Sequence, residues 1–380
     1  MIYVVKTGDS IYSIARANGT TAARLIEVNE LEDPDVLVVG QTIVIPETPD
    51  PNRPTIDSNA YVEWYTEKPS QTLKDEVKKR GSLLTYMMPF SYDVKRDGSL
   101  TPLNWDGLEQ IAKDENITSA IVISNIEDGA FSDTLAQDIF ASTAVQDKLI
   151  QNILAEAKAK NAKDIHVDFE YLRPEDRQNY VDFLKRLKTA ATGLTLSAAL
   201  APKTSATQPG KWYEGHDYKK IGEIVDFVVI MTYEWGYSGG PPMAVSPIGP
   251  VRQVLEYALT EMPGSKILMG QNLYGYDWTL PYRPGNPQAQ VVSPKRAVEL
   301  ARERNAAISY NTTSQAPYFK YWRDGKEHEV WFEDARSIQA KFDLLEELGL
   351  RGISYWHIAF PFPQNWVLLN EMFHVKKRQS

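Results

Sequence analysis

Three side chains that could do acid–base chemistry stand two residues apart in the run His166-Val167-Asp168-Phe169-Glu170. Because side chains at i and i+2 of a β-strand share a face, a strand here projects His166, Asp168 and Glu170 together. Two neighbouring carboxylates raise one another's pKa, which keeps one of them protonated near neutral pH. Cleavage of a glycosidic bond needs such a proton donor, although a metal-ligand pair or a structural ion pair would use the same two acids.

The elements that must position these residues follow a strand–helix alternation between residues 57 and 376. Eight runs have the length and composition of strands: 60–65, 83–90, 119–124, 165–170, 194–200, 227–233, 266–272 and 352–356. This alternation is typical of parallel βα units, and eight units predict a (β/α)8 TIM barrel of the α/β class. Between the last two strands, residues 279–333 are rich in Tyr, Trp and Thr and predict a small α+β insertion.

Acids, amides and aromatic rings stand at the predicted carboxyl ends of several strands. Barrel enzymes place their chemistry at these ends, so we expect the side chains to converge around one opening. The candidate site residues beyond the first run are Tyr92, Asn125, Tyr233, Glu234, Asn272, Tyr274 and Trp356. Taken alone, Tyr233 is more typical of ordinary barrel packing, and Trp356 is more typical of a core residue. His166 is expected to be a partner of Asp168 in a second layer rather than a metal ligand, since the five histidines have no metal-ligand spacing.

Residues 1–46 predict a separate module with the order strand, helix, helix, strand, and residues 47–56 are a proline-rich linker. The pattern Tyr3-x-Val5-x-x-Gly8-Asp9-Ser10-Ile11, with Asn29 and a closing Ile43-x-Ile45-Pro46, resembles a LysM module. The resemblance implies binding of N-acetylglucosamine polymers, peptidoglycan or chitin, between two loops. Its sugar-binding residues would be Gly8, Asp9, Ser10, Ile11 and Asn29. Gly8 and Ser10 would also serve simply as a turn and a helix cap.

The barrel resembles glycoside hydrolase family 18 through the last two acids of that family's strand-four signature, through Met231-x-Tyr233 and through Trp356. The resemblance implies substrate-assisted retaining hydrolysis, in which the acetamido oxygen of the sugar is the nucleophile. Glu170 would be the general acid and base, Asp168 would hold the acetamido N–H, and Tyr233 would donate to the acetamido oxygen. Trp356 would be the floor beneath the sugar. No cofactor or metal is expected.

Departures from this family pattern are also present. His166 replaces the middle acid of the signature, which implies a different pH dependence, and the strand-three motif of chitinases is replaced by Ser124-Asn125-Ile126-Glu127. Other stretches resemble the spore-cortex peptidoglycan N-acetylglucosaminidases that act in germination, many of which carry two LysM modules. This similarity implies a location in the spore or cell wall. A chitinase and a non-catalytic lectin remain alternatives.

Bulk properties exclude several classes of function. The net charge of −9 argues against nucleic acid or an anionic membrane as a partner, and the absence of cysteine excludes disulfides and thiolate metal sites. No apolar run approaches the ~20 residues of a membrane span, and the first residues lack the basic and apolar regions of a signal peptide. The two resemblances imply a sugar polymer as the partner, and we expect a monomer.

Overall fold

The N-terminal module is a small two-stranded, two-helix unit. The computed structural model describes residues 1–377 of the chain. Its first elements are β1 (Ile2–Val4), α1 (Ile11–Ala17), α2 (Ala22–Asn29) and β2 (Thr42–Val44). β1 and β2 pair antiparallel, and Ser10 begins α1 with a capping box to Ser13. Ile11, Ile14 and Leu25 form the core of the module, so the predicted order of elements is confirmed.

A closed barrel of eight parallel strands follows. Its first half comprises β3 (Thr55–Glu63), α3 (Gln71–Arg80), β4 (Tyr86–Phe90), β5 (Tyr92–Asp93), α4 (Leu108–Asp114), β6 (Thr118–Ser124), β7 (Ile126–Glu127), β8 (Ala130–Phe131), α5 (Asp133–Ala141), α6 (Thr143–Ala159) and β9 (Asp164–Asp168). The short strands β7 and β8 form a hairpin at the carboxyl end of β6. This hairpin is one wall of the opening described below.

The second half carries the insertion. Its elements are α7 (Arg177–Ala190), β10 (Thr195–Leu200), α8 (Tyr218–Ile224), β11 (Phe227–Ile230), α9 (Ile248–Glu261), β12 (Ile267–Asn272), β13 (Gly275–Thr279), β14 (Gln290–Val292), α10 (Pro294–Glu303), β15 (Ser309–Asn311), β16 (Ala316–Arg323), β17 (Lys326–Trp331), α11 (Ala335–Glu347), β18 (Gly352–Trp356), α12 (Pro363–Met372) and β19 (His374–Val375). The barrel order is β3-β4-β6-β9-β10-β11-β12-β18, and β18 closes it by pairing with β3. The predicted (β/α)8 fold is confirmed.

Alternation along each strand divides the apolar core into two layers. On β6, Ala120 and Val122 face the barrel interior, while Ile121 and Ile123 pack against the surrounding helices. The same alternation on β9 sends Val167 outward and His166 inward. Because both faces of a parallel strand are buried, these strands are almost continuously apolar in sequence, and the few inward polar residues are conspicuous.

The insertion between β12 and β18 is a five-stranded antiparallel sheet in the order β14-β13-β17-β16-β15 with helix α10 on one face. Phe319, Val330 and Leu300 form the core between the sheet and this helix. The predicted α+β insertion is confirmed, although its first strand already begins at Gly275. The turn between β12 and β13 therefore places Tyr274 and Tyr276 beside the barrel opening.

The N-terminal module is docked on the barrel. Helix α2 and strand β2 pack on α11 and α12, and Val38 enters the core of the insertion. At Gly40, whose φ is +84°, a Cβ atom would lie 1.9 Å from the carbonyl oxygen of Ile308. The linker also lies on the barrel, where Arg53 Nε donates to the carbonyl of Phe373 at 2.9 Å. The module is thus held by direct contacts as well as by the linker.

Candidate active site

The carboxyl ends of the barrel strands surround a cavity of about 700 Å³. Its walls are aromatic and acidic. The lining residues are Tyr61, Glu63, Tyr65, Phe90, Ile126, Phe131, Asp168, Glu170, Tyr171, Trp212, Tyr213, Met231, Tyr233, Glu234, Tyr237, Tyr274, Tyr276, Val291, Trp356, His357 and Phe360. A cavity of this size is typical of small-ligand sites, and flat aromatic faces suit the apolar faces of sugar rings.

The backbone that carries the two central acids is fixed from both sides. Asp168 is the last residue of β9, and Glu170 follows two positions later, where the Asn125 amide bonds its main chain. Between them Phe169 points outward and stacks on Phe183, with ring centroids 5.9 Å apart. Both carboxyl groups therefore face the cavity, with Asp168 4% and Glu170 7% exposed.

The surroundings of this pair raise the pKa of both carboxyl groups. Burial raises the pKa of Asp168 to about 7. Burial, and then the charge of Asp168, raise the pKa of Glu170 well above its usual range. Oδ1 of Asp168 is buried and has no hydrogen-bond partner within residues 1–377. The pair can accordingly supply one protonated acid near neutral pH and one oxygen that can accept a hydrogen bond from a ligand.

His166 lies beneath the cavity in a fully buried network. Its Nδ1 is 2.8 Å from Ser197 Oγ, which itself donates to Asp164, and its Nε2 is 2.7 Å from the Tyr61 hydroxyl. Because the Ser197 hydroxyl proton is used, Nδ1 carries the hydrogen and Nε2 accepts from Tyr61. Burial lowers the pKa of His166 to about 3, so the ring is neutral. The expected pairing with Asp168 is not present, since both ring nitrogens have other partners.

Tyr233 and Trp356 lie on the cavity wall at the ends of β11 and β18. The Tyr233 ring passes Gly270, where a Cβ would lie 3.0 Å from a ring carbon. Burial raises the pKa of Tyr233 well above 10, so its hydroxyl remains a donor. Trp356 packs edge-on against Phe90 and Tyr61, with centroids 4.8 and 5.1 Å away, which fixes its face.

Glu234 is a third carboxyl group on the cavity wall. It has a positive φ of +69° and accepts hydrogen bonds from the hydroxyls of Tyr274 and, at 3.0 Å, Tyr276. Burial raises its pKa. Glu234 and Tyr274, both predicted from the sequence, therefore do line the cavity and contact each other.

Three predicted contact residues lie elsewhere. Tyr92 is 1% exposed and belongs to the apolar core between the strands and the helices. Asn125 is fully buried because its amide holds the main chain of Glu170. Asn272 is fully buried and donates to the carbonyl of Tyr274 at 2.7 Å. The expectation of direct cavity contact is wrong for all three: the Tyr92 ring packs in the apolar core, and the two amides bond neighbouring main-chain groups.

The predicted residues of the N-terminal module have distinct surroundings. Gly8 and Ser10 are exposed, and Asp9 accepts from the hydroxyl of Tyr3 and from the main-chain N–H of Lys6. Ile11, by contrast, is fully buried in the core of the module.

Asn29 is buried, and its amide bonds both the N–H and the carbonyl of Val44 at 2.8 Å. Asn29 thus ties α2 to β2 and does not face solvent as a sugar contact would.

Several residues that line the cavity were not predicted from the sequence. Tyr61 carried a usable signal, because its inward position follows from the alternation of β3. Trp212 lies in the loop between β10 and α8, where no periodicity locates a side chain, yet its Nε1 donates to Oε2 of Glu170. Within residues 1–377 there is no group of three potential metal-ligating side chains. No helix of this described part is long and apolar enough to cross a bilayer.

Comparison with known proteins agrees with this geometry. The sequence profile of Glycosyl hydrolases family 18 matches residues 60–360, and that of the LysM domain matches residues 3–46. The chain therefore belongs to glycosyl hydrolase family 18, and it is a glycosidase that carries a LysM domain.

Particular relatives can also be named. The chain is 52% identical over 427 residues to the cortical fragment-lytic enzyme of Bacillus subtilis (strain 168), with 99% of each covered. The crystal structure of the Bacillus megaterium QM B1551 spore cortex-lytic enzyme SleL has a TM-score of 0.96 and 46% identity, covering 100% of this chain and 99% of that one. A Chromobacterium violaceum chitinase, at 24% identity, TM-score 0.76 and coverages of 83% and 98%, shares the fold.

Proposed function

We propose that this protein is an N-acetylglucosaminidase that cleaves spore-cortex peptidoglycan by substrate-assisted, retaining catalysis. The observation that carries the proposal is the buried Asp168–Glu170 pair: burial and the charge of Asp168 raise the pKa of Glu170 well above its usual range, and Oδ1 of Asp168 has no hydrogen-bond partner within residues 1–377. A sugar with a 2-acetamido group supplies both the missing N–H donor and an internal nucleophile. The names of the B. subtilis and B. megaterium relatives support cortex as the polymer.

The first step of the proposed mechanism assigns one role to each of these groups. The acetamido oxygen attacks the anomeric carbon while the bond to the leaving oxygen breaks and Glu170 gives that oxygen its proton. Asp168 accepts the acetamido N–H, and the Tyr233 hydroxyl donates to the acetamido oxygen. Trp356 supports the apolar face of the ring. Stabilisation of the developing oxazolinium charge by Asp168 in a dry site is the largest expected contribution.

The second step returns the enzyme to its starting state. The leaving sugar departs, a water molecule attacks the anomeric carbon, and the Glu170 carboxylate accepts the proton of that water. The oxazolinium ring opens, and the configuration at the anomeric carbon is retained after two inversions. His166, which is neutral, takes no part in proton transfer and instead holds Tyr61 under the cavity.

The LysM module is proposed to bind the same polymer through its exposed first loop, Gly8 to Ser10. The second loop is engaged with the rest of the protein, since Glu30 pairs with Arg80 on α3 and Glu32 with Lys295 on α10 of the insertion. One LysM domain matches in this chain, over residues 3–46, and a single module implies weaker anchoring than a pair.

Two experiments test the proposal. Glu170→Gln is expected to lower hydrolysis of cortex fragments by about 10²–10⁴-fold, the usual contribution of a general acid. Mass spectrometry of the products should show new reducing-end N-acetylglucosamine. Reducing-end muramic acid would instead indicate a muramidase, and faster turnover of chitin oligomers than of cortex fragments would favour a chitinase. Full activity of the Glu170→Gln variant would refute the mechanism.

A further inference from the structure

A loop that the proposed mechanism does not use reaches the catalytic acid. Residues 201–217 connect β10 to α8, and Nε1 of Trp212 donates a hydrogen bond to Oε2 of Glu170. Within residues 1–377, Trp212 is the one side chain that donates to this carboxyl group, and Oε1 is left without a donor. One oxygen of the acid is therefore held and the other is free.

The ends of this loop are fastened by two buried residues. Lys203 is 1% exposed, and its Nζ donates to the carbonyl of His216 at 2.8 Å, which closes the loop on itself. His216 accepts the N–H of Ala201 at Nδ1, so its Nε2 carries the hydrogen and donates to the carbonyl of Phe169 at 2.9 Å. The loop is consequently attached to the backbone directly before Glu170.

One contact of the Trp212 ring and one contact of its loop set the position of this residue. It stacks on Tyr171 with an interplanar angle of 15° and centroids 6.2 Å apart. At Gly215 a Cβ would lie 2.4 Å from Leu172 Cβ, so glycine permits the close approach of the loop to the chain after Glu170. The ring is thus oriented by contacts other than its hydrogen bond to the acid.

We propose that Trp212 is a positioning residue that holds Oε2 of Glu170 so that Oε1 carries the proton to the leaving oxygen. The indole N–H also stabilises the carboxylate that forms as the proton is transferred. This inference rests on the proposed function, since it assigns a supporting role around the same acid.

The groups that face Glu170 determine the direction in which its pKa changes when the Trp212 N–H is removed. Asp168 and Glu234 are carboxylates, and Tyr171, Tyr213 and Tyr233 are phenols, so the Trp212 N–H is the contact that favours the charged form. Removing it raises the pKa of Glu170. A general acid must be protonated, and the alkaline limb of the pH–rate profile should therefore move to higher pH.

The test compares Trp212→Phe with the parent enzyme on aryl N-acetylglucosaminide oligomers. Phenylalanine keeps a ring to stack on Tyr171 and lacks the N–H. With a 4-methylumbelliferyl leaving group, kcat should fall about tenfold. The alkaline limb of the pH–rate profile should move to higher pH by about one unit. With a 2,4-dinitrophenyl leaving group, which needs little protonation, kcat should change by less than about twofold.

The matched control is Trp322→Phe on β16, an exposed tryptophan outside the cavity, which should behave as the parent. An unmoved alkaline limb, or equal losses with both leaving groups, would overturn the role of Trp212. If Glu170→Gln is inactive while Trp212→Phe matches the parent, this inference alone fails. A parent enzyme inactive on every 2-acetamido substrate would instead refute the proposed function.

Discussion

Two hydrogen bonds join the side chain of Asn125 to the main chain of Glu170. The amide nitrogen donates to the Glu170 carbonyl and the Glu170 N–H donates to the amide oxygen, both at 2.9 Å. The amide also donates to the carbonyl of Ser132, so Asn125 links the β7–β8 hairpin to the proposed catalytic acid. The residue that follows β6 thus fixes the position of the acid that follows β9.

Asn125→Ala should separate this positioning from direct sugar contact. Loss of the amide leaves the buried N–H of Glu170 unpaired, so the free energy of unfolding should fall by about 1–3 kcal/mol. We expect kcat for cortex fragments to fall at least about tenfold while KM changes little, because Asn125 does not face the cavity. Steady-state kinetics measures kcat and KM, and denaturant titration measures the free energy of unfolding. Asn286→Ala, an exposed amide, is the control, and a rise in KM alone would contradict the assignment.

Gly270→Ala should displace Tyr233. The added Cβ would lie 2.5 Å from the Ile230 carbonyl oxygen and 3.0 Å from the Tyr233 ring. Overpacking of this kind costs about 1–3 kcal/mol of stability, and the moved hydroxyl should lower kcat. Gly249→Ala in α9 meets no atom within 4 Å and should be neutral or slightly stabilising. Parent-like kinetics for Gly270→Ala would show that the Tyr233 hydroxyl has no fixed role.

The neutral His166 should make the stability of the protein depend on pH. Its pKa is about 3 in the folded chain and 6.5 when unperturbed, so the unfolded state binds the proton first as the pH falls. The stabilisation by the neutral ring is complete above pH 6.5 and declines below it, by up to about 1.4 kcal/mol per pH unit. The stability advantage of the parent over His166→Gln should therefore narrow from pH 7.5 to pH 5.0 in denaturant titrations. His374→Gln, at an exposed site, serves as the control, and a constant advantage would be inconsistent with a buried neutral ring.

Gly40→Ala should release the LysM module from the barrel. A Cβ there would lie 1.9 Å from the Ile308 carbonyl oxygen, which allows no adjustment without separation of the two surfaces. We expect a larger radius of gyration in small-angle scattering and faster proteolysis in residues 47–54. Gly19→Ala has a comparable positive φ of +65° and no atom within 4 Å, so it carries the backbone strain without the clash. Equal behaviour of the two variants would show that the contact at Gly40 does not hold the module.

The sequence predicted the barrel well because each strand is buried on both faces. Runs such as Phe227–Ile230 are short, apolar and β-branched, and they alternate with amphipathic helices. The inward positions of Asp168 and Glu170 followed from the period of two residues along the strand. These features depend on local sequence alone, so the sequence was sufficient to predict them.

The failures share one cause, which is that strand ends and loops have no periodicity. Asn125 and Asn272 were placed in the cavity because amides at strand ends suit sugars, whereas both satisfy neighbouring main-chain groups. The Trp212 contact joins residues 42 positions apart through an irregular loop. Asn29 matched a LysM pattern, but the pattern does not distinguish a residue that binds ligand from one that holds the module together.

The docking of the LysM module changes how this enzyme can search a surface. If the proline-rich linker were free of the barrel, the barrel could take many positions around the site where the LysM module is bound. With Gly40 against Ile308 and Arg53 bonded to Phe373, the module and the cavity keep one mutual orientation. An encounter between the module and a polymer would then present the cavity to a single patch of that polymer. Movement along the polymer would require the whole protein to dissociate and bind again.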